Sequence, residues 1–126
     1  MKRLLVRGFG AFALASGLLL APVRPAHAGE VSVTVVNVET PQGVKIWVPE
    51  TIVAKKGDTV KLKLVNKLAN PHGFQISAFG IEKIVGVADS PEGTVEVSFT
   101  ADKAGVFPIA CQLHPTHVTG QLVILE

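Results

Sequence analysis

The stretch from residue 59 to residue 65 leaves the backbone little choice. Val60, Leu62 and Leu64 alternate there with Lys61 and Lys63. Only an extended strand sends alternate side chains to opposite faces, so the apolar three can meet a core while both lysines stay in water. Residues 94–100 repeat the pattern, with Val95, Val97 and Phe99 on one face and Glu96 and Ser98 on the other. Further strand candidates are 31–38, a β-branched run, 44–48, 51–54, 72–77, 81–87, 105–111 and 121–125. Turn-forming clusters separate them: Pro41-Gln42-Gly43, Lys56-Gly57-Asp58, Asn70-Pro71, Ser90-Pro91-Glu92-Gly93 and Asp102-Lys103-Ala104-Gly105. Short strands at this spacing predict an all-β sandwich or barrel of seven to eight strands. No amphipathic helix of useful length is visible. A short helical turn near Asp102 or between Phe79 and Val87 is compatible with the pattern. Without an internal repeat, low-complexity tract or linker, one domain is expected.

The N-terminal residues follow another logic. Lys2, Arg3 and Arg7 precede an apolar run over residues 9–21, and Ala26-His27-Ala28 then offers a small-x-small cleavage site. The run has 13 residues, whereas a membrane-spanning helix needs about 20. Residues 1–28 are therefore expected to be a secretory signal cut after Ala28, leaving a periplasmic domain of residues 29–126 with no stable membrane anchor. No cysteine near the cleavage site suggests a lipoprotein, and no arginine pair precedes the apolar run, which favours the general secretory route. Charge supports this division. The full chain carries 12 basic and 10 acidic residues, but Lys2, Arg3, Arg7 and Arg24 all fall in the leader. The remaining domain has a net charge of −2 and no basic cluster with interleaved aromatics, so a nucleic-acid partner is not expected.

One cysteine, Cys111, is present in the whole chain, and the only methionine is Met1. In an oxidising compartment such a cysteine has no internal disulfide partner; it is buried, intermolecular, reactive or metal-bound. Its surroundings decide between these. Cys111-Gln112-Leu113-His114-Pro115-Thr116-His117 places two imidazoles at +3 and +6, before a last β-branched strand begins near Gly120. A loop can turn all three side chains toward one atom, whereas a continuing strand would send +3 to the opposite face. His72, 39 residues upstream in Asn70-Pro71-His72-Gly73-Phe74, is expected at the start of another strand. Loops of distant strands meet at one end of a sandwich, so His72, Cys111, His114 and His117 form the candidate metal and cofactor site. Thiolate with imidazole suits copper or zinc and disfavours calcium or magnesium. Copper, one ion per chain, is preferred over zinc, although four such ligands also suit a closed zinc site.

Simpler readings exist. A lone cysteine in a small domain commonly packs as an apolar filler. A Cys–His nucleophile pair is a further alternative, but nothing supplies an oxyanion hole, and a second loop histidine is superfluous to it. Lys55, Lys56 and Asp58 read as a solvated turn, and Trp47 and the phenylalanines as core or rim.

The segment from Cys111 to Gly120 resembles the copper loop of the cupredoxin superfamily, where Cys-x-x-His-x-x-Met-x-Gly-like patterns occur. Within it the chain is most similar to nitrosocyanin-like (red copper) proteins. That likeness runs over residues 53–125, through Lys55-Lys56-Gly57-Asp58, Ala78-Phe79-Gly80, Ser98-Phe99-Thr100-Ala101-Asp102-Lys103-Ala104-Gly105 and Cys111-Gln112-Leu113-His114-Pro115. It implies a cupredoxin-type Greek-key β-sandwich. Cys111 and His114 match that family's cysteine and first loop histidine. His117 matches the second, in a loop two residues shorter, and His72 stands where the family places a glutamate. The resemblance thus implies a methionine-free His₃Cys copper site. A close His117 would weaken the copper–sulfur bond and give a red or green centre. The implied activity is one-electron transfer with a redox partner protein. A copper enzyme or binder of nitric oxide or peroxide with an exchangeable copper position, and a periplasmic copper carrier, are the alternatives.

Overall fold

A computed structural model describes residues 28–126; the expected leader, apart from Ala28, lies outside the described residues. Nine strands follow one another: β1 (Glu30–Glu39), β2 (Lys45–Val48), β3 (Thr51–Lys55), β4 (Thr59–Asn66), β5 (His72–Ile76), β6 (Ile81–Val85), β7 (Thr94–Thr100), β8 (Gly105–Ile109) and β9 (Gly120–Leu125). The count exceeds the expected seven to eight because every apolar run in the sequence pairs, including the four-residue β2. Two single 3₁₀ turns, Ser77–Phe79 and Pro91–Gly93, are the only helical pieces among the described residues, and the residues at Asp102 form no helical turn.

The strands make a sandwich. One sheet has the order β2-β1-β4-β7, with β1 and β4 parallel. The second has the order β3-β9-β8, with β3 and β9 parallel, and the β5-β6 hairpin joins it through a bridge between Gln75 and Ala110. The chain changes layer between Val48 and Thr51, so that β2 pairs with β1 while β3 pairs with β9. This exchange lets both layers share one core.

The alternation read in the sequence is the burial pattern observed. Val60, Leu62 and Leu64 are buried and Lys61 and Lys63 are exposed. Val35, Trp47, Ile52, Phe74, Ile76, Val97, Ile109, Leu122 and Ile124 fill the space between the layers. Each large apolar side chain removed from water contributes about 1.5–3 kcal/mol. At one end Phe79 packs tilted against Phe99 and edge-to-face against Phe107, with centroids 5.0 and 5.1 Å apart. At the other end the parity of the strands leads somewhere else. Position 37 continues the inward series 31, 33, 35, and position 66 continues 60, 62, 64. Both are asparagine, and both are fully buried. The candidate metal-site residues gather at this end.

Candidate metal centre

His72 opens β5 and is completely buried. Its strand is clamped to the chain beyond β8 by two hydrogen bonds, from the Gln75 N–H to the Ala110 carbonyl (2.9 Å) and from the Ala110 N–H to the Gln75 carbonyl (3.0 Å). This bridge sets Cys111 against His72 and Gly73. The strand expected over 105–111 in fact stops at Ile109, and that early stop frees Cys111 to turn inward. The Gly73 N–H donates to Cys111 Sγ at 3.2 Å, and Trp47 Nε1 donates to the Gly73 carbonyl at 3.0 Å. A side chain at position 73 would collide with Gln112: its Cβ would lie 2.9 Å from the Gln112 backbone nitrogen and closer still to Oε1. Glycine is therefore required for the backbone to approach the sulfur.

Two imidazoles face that sulfur. His114 Nδ1 lies 3.5 Å and His72 Nδ1 3.9 Å from Cys111 Sγ. One ligand atom from each of the three residues lies within 4.8 Å of the others, and the two rings are 4.3 Å apart, centre to centre. A thiolate and an imidazole on one ion, at bond lengths of about 2.3 and 2.0 Å, stand about 3.5–3.7 Å apart across tetrahedral to trigonal angles. The observed separations bracket that range. His72 carries a second sign of fit. Its Nε2 is buried and has no hydrogen-bond partner among the described residues, and Nδ1 faces only the thiol and the other ring. A histidine kept for structural hydrogen bonding would not be left so.

The same burial keeps His72 neutral. Desolvation, followed by the repulsion of His114, His117 and Lys45, lowers its pKa from 6.5 to about 4. A neutral imidazole is the form that binds a metal.

His117, the fourth ligand expected from the sequence, is close but is not brought into the group. Its ring centre is 5.4 Å from that of His72 and 6.2 Å from that of Trp47, while its Nε2 is engaged elsewhere. Nε2 meets Asn37 Oδ1 at 2.9 Å and Nδ1 lies 3.0 Å from the Val118 carbonyl. The asparagines explain this. Asn66 Nδ2 donates to the carbonyls of Asn70 (2.7 Å) and Gly86 (2.8 Å). Its Oδ1 therefore accepts, from the Leu68 N–H (3.0 Å) and from Asn37 Nδ2 (3.1 Å). Asn37 is left to present Oδ1, so His117 Nε2 carries the proton toward it. Burial, then the positive charges of His114 and Lys45, lower the pKa of His117, while the Val118 carbonyl beside Nδ1 favours the protonated ring and opposes them. Three residues unmarked by the sequence reading as part of the site thus shape it: Asn37, Asn66 and Gly73. Trp47, read as core or rim, is core and also anchors Gly73.

The model of the cupredoxin-like domain matches residues 10–124. The chain belongs to this family. The cupredoxin is similar in fold to several solved structures. A copper nitrite reductase from Nitrosomonas europaea is 22% identical with a TM-score of 0.62, over 76% of this chain and 41% of that one. A multi-copper oxidase from Pseudomonas thermotolerans is 16% identical with a TM-score of 0.62, over 79% of this chain and 30% of the other. The Cu(I)-bound metal-binding domain of a Cu(I)-exporting P-type ATPase from Streptococcus pneumoniae is 15% identical with a TM-score of 0.62, over 81% of this chain and 92% of that domain. The cupredoxin thus spans less than half the length of the first two. No curated protein matches it.

Proposed function

We propose that this cupredoxin is a periplasmic mononuclear copper protein that transfers one electron, with the ion held by His72, Cys111 and His114. The observation that carries the reading is the approach of two imidazole Nδ1 atoms to one thiol, at 3.5 and 3.9 Å. Bound copper supplies a Cu(II)/Cu(I) couple. The chain supplies the rest. His72 is sealed in the interior, which excludes water from one side. The Gly73 N–H donates to the sulfur and stabilises the thiolate. The Gln75–Ala110 bridge and the Trp47 anchor hold the donors in place, so little need move when charge changes. His114 is half-buried and Leu113 beside it is 45% exposed, which offers an apolar rim where a redox partner protein can dock.

The nitrosocyanin-like reading requires His117 as a ligand. The bond of His117 to Asn37 favours instead a three-ligand thiolate–imidazole set of the blue-copper kind, without its axial thioether. The same bond supports a second reading. If His117 stays engaged, the fourth position is free for an exchangeable ligand, as a copper carrier or a nitric oxide or peroxide site requires.

One experiment bears on all of these. Protein loaded with one equivalent of Cu(II) is examined by visible absorption, electron paramagnetic resonance and voltammetry, with and without azide or nitric oxide. Electron transfer predicts one copper per chain, an intense thiolate charge-transfer band and a reversible couple indifferent to azide. A spectrum that shifts with azide supports the exchangeable site, and failure to retain copper overturns the proposal. Loss of the band's intensity in favour of a red centre, reversed by His117→Ala, would place His117 on the metal.

A further inference from the structure

Asp58 looks like a solvated turn residue in the sequence, yet it is only 8% exposed. It sits between β3 and β4, at the end of the sandwich away from Cys111. Its own backbone is fixed: the Asp58 N–H donates to the Lys55 carbonyl (3.0 Å) and its carbonyl accepts from the Ala101 N–H (2.9 Å). Its carboxylate has two partners. Oδ2 accepts from the Lys55 N–H at 2.9 Å and Oδ1 accepts from the N–H of Gly29 at 2.8 Å. Gly29 is held from its other side too, its carbonyl accepting from the Thr59 N–H at 2.9 Å. A Cβ at position 29 would lie 2.9 Å from Asp58 Oδ1, so only glycine brings its nitrogen this close without displacing the carboxylate.

We propose that Asp58 is a receptor for the α-ammonium group created at Gly29 when the leader is removed. This rests on the reading of residues 1–28 as a signal cleaved after Ala28. Hydrolysis of the Ala28–Gly29 bond by a leader peptidase adds one water, leaving a carboxylate on Ala28 and an ammonium on Gly29. The nitrogen that donates a neutral hydrogen bond before cleavage then donates from a full positive charge to the same oxygen. Charge-assisted bonds of this kind are roughly twice as strong as neutral ones. Asp58 is ready to be the anion: the N–H groups of Lys55 and Gly29 hold its pKa below the ordinary carboxylate value. The other charges nearby do not compete for the ammonium. Lys55 is a cation, Glu30 pairs with Lys61 at 2.8 Å and Lys56 pairs with Glu126 at 3.1 Å. Processing therefore locks the first strand of the mature domain onto the β3–β4 corner.

The sign of the pH dependence follows. An α-amino group titrates at about 7.7–8.0 when unperturbed, and an adjacent carboxylate raises that value in the folded chain. The stabilisation is complete below the unperturbed value and is lost as pH rises through the raised one.

The exported protein is first sequenced from its N-terminus. The Gly29 α-amino pKa is then measured by NMR titration of the mature chain, expected above 8.0. In parallel, unfolding midpoints are compared for free and Nα-acetylated chains, each with Asp58 and with Asp58→Asn. Acetylation keeps the N–H and removes the charge, so it should lower the midpoint in the Asp58 chain and much less in the variant. A mature start other than Gly29 overturns the leader reading and the proposal with it. A Gly29 start with an α-amino pKa of 8.0 or below, or equal acetylation effects in both backgrounds, overturns the capture alone. If Asp58→Asn does not fold, the pKa decides.

Discussion

Replacing Asn37 with alanine should unlatch the metal end of the sandwich. Asn37 is fully buried and joins two groups, accepting from His117 Nε2 at 2.9 Å and donating to Asn66 Oδ1 at 3.1 Å. The alanine removes both bonds. Asn66 Oδ1 keeps the Leu68 N–H, so its loss is the net worth of one hydrogen bond, about 1 kcal/mol. His117, only 6% exposed, fares worse, because its Nε2–H is left in the interior with no acceptor, at about 1–3 kcal/mol. The sum is about 2–4 kcal/mol, which for a domain of this size lowers Tm by roughly 10–30 °C. The assay is urea unfolding of the metal-free protein at pH 7. Asn37→Asp separates the two halves, since it keeps an acceptor toward His117 but sets an oxygen against Asn66 Oδ1. A double-mutant cycle of Asn37→Ala with His117→Ala should show a coupling of at least about 1 kcal/mol. A loss below about 0.5 kcal/mol for Asn37→Ala, or an additive cycle, would refute the claim that the asparagines hold His117 away from the thiol.

Other outcomes follow from the same geometry. Gly73→Ala drives a methyl group into Gln112 and should displace the Gly73 N–H from Cys111 Sγ, costing about 1–3 kcal/mol by overpacking and shifting the charge-transfer band of the copper-loaded form. Cys111→Ser and His114→Ala should each abolish tight copper binding while leaving the fold intact by circular dichroism, since both side chains are only half-buried. The metal-free protein should lose stability as pH falls from 6.5 toward 4: His72 has a lowered pKa, so the unfolded chain takes up protons in that window that the folded chain refuses. The shift from 6.5 to about 4 corresponds to about 3 kcal/mol at most, and His72→Gln should flatten the pH profile.

Much of this protein was legible before any coordinates. Period-two alternation at Val60, Leu62 and Leu64 gave the strand, its face and its core residues, because burial on one side is what specifies a strand. Cys111 and His114 were readable because a strand end followed by a tight loop leaves a short spacing intact in space. His72 required the fold, since nothing local joins it to Cys111; the bridge between Gln75 and Ala110 does that. Parity also held a signal that went unread. Asn37 and Asn66 fall on the inward positions of β1 and β4, and a buried amide must have partners. Following that parity would have found the network that engages His117. Sequence spacing alone gave His117 its neighbourhood but not its bond to Asn37, because a loop residue's direction depends on which acceptors surround it.

The pairing of β9 with β3 joins Thr51 to Gln121, positions 70 residues apart, and Cys111 lies in the loop just before β9. Closing so long a loop is slow compared with forming a hairpin. An unfolded chain therefore passes through a period in which the Cys111 thiol is uncovered and His72, 39 residues upstream, is far away, while His114 is only three residues on. His72 cannot meet Cys111 before the bridge between Gln75 and Ala110 forms, so the copper proposed for this site would be taken up only after the layers have joined. The thiol's exposure to oxidants is set by that same interval, so the rate of folding would govern how many molecules keep a free thiol for the proposed metal.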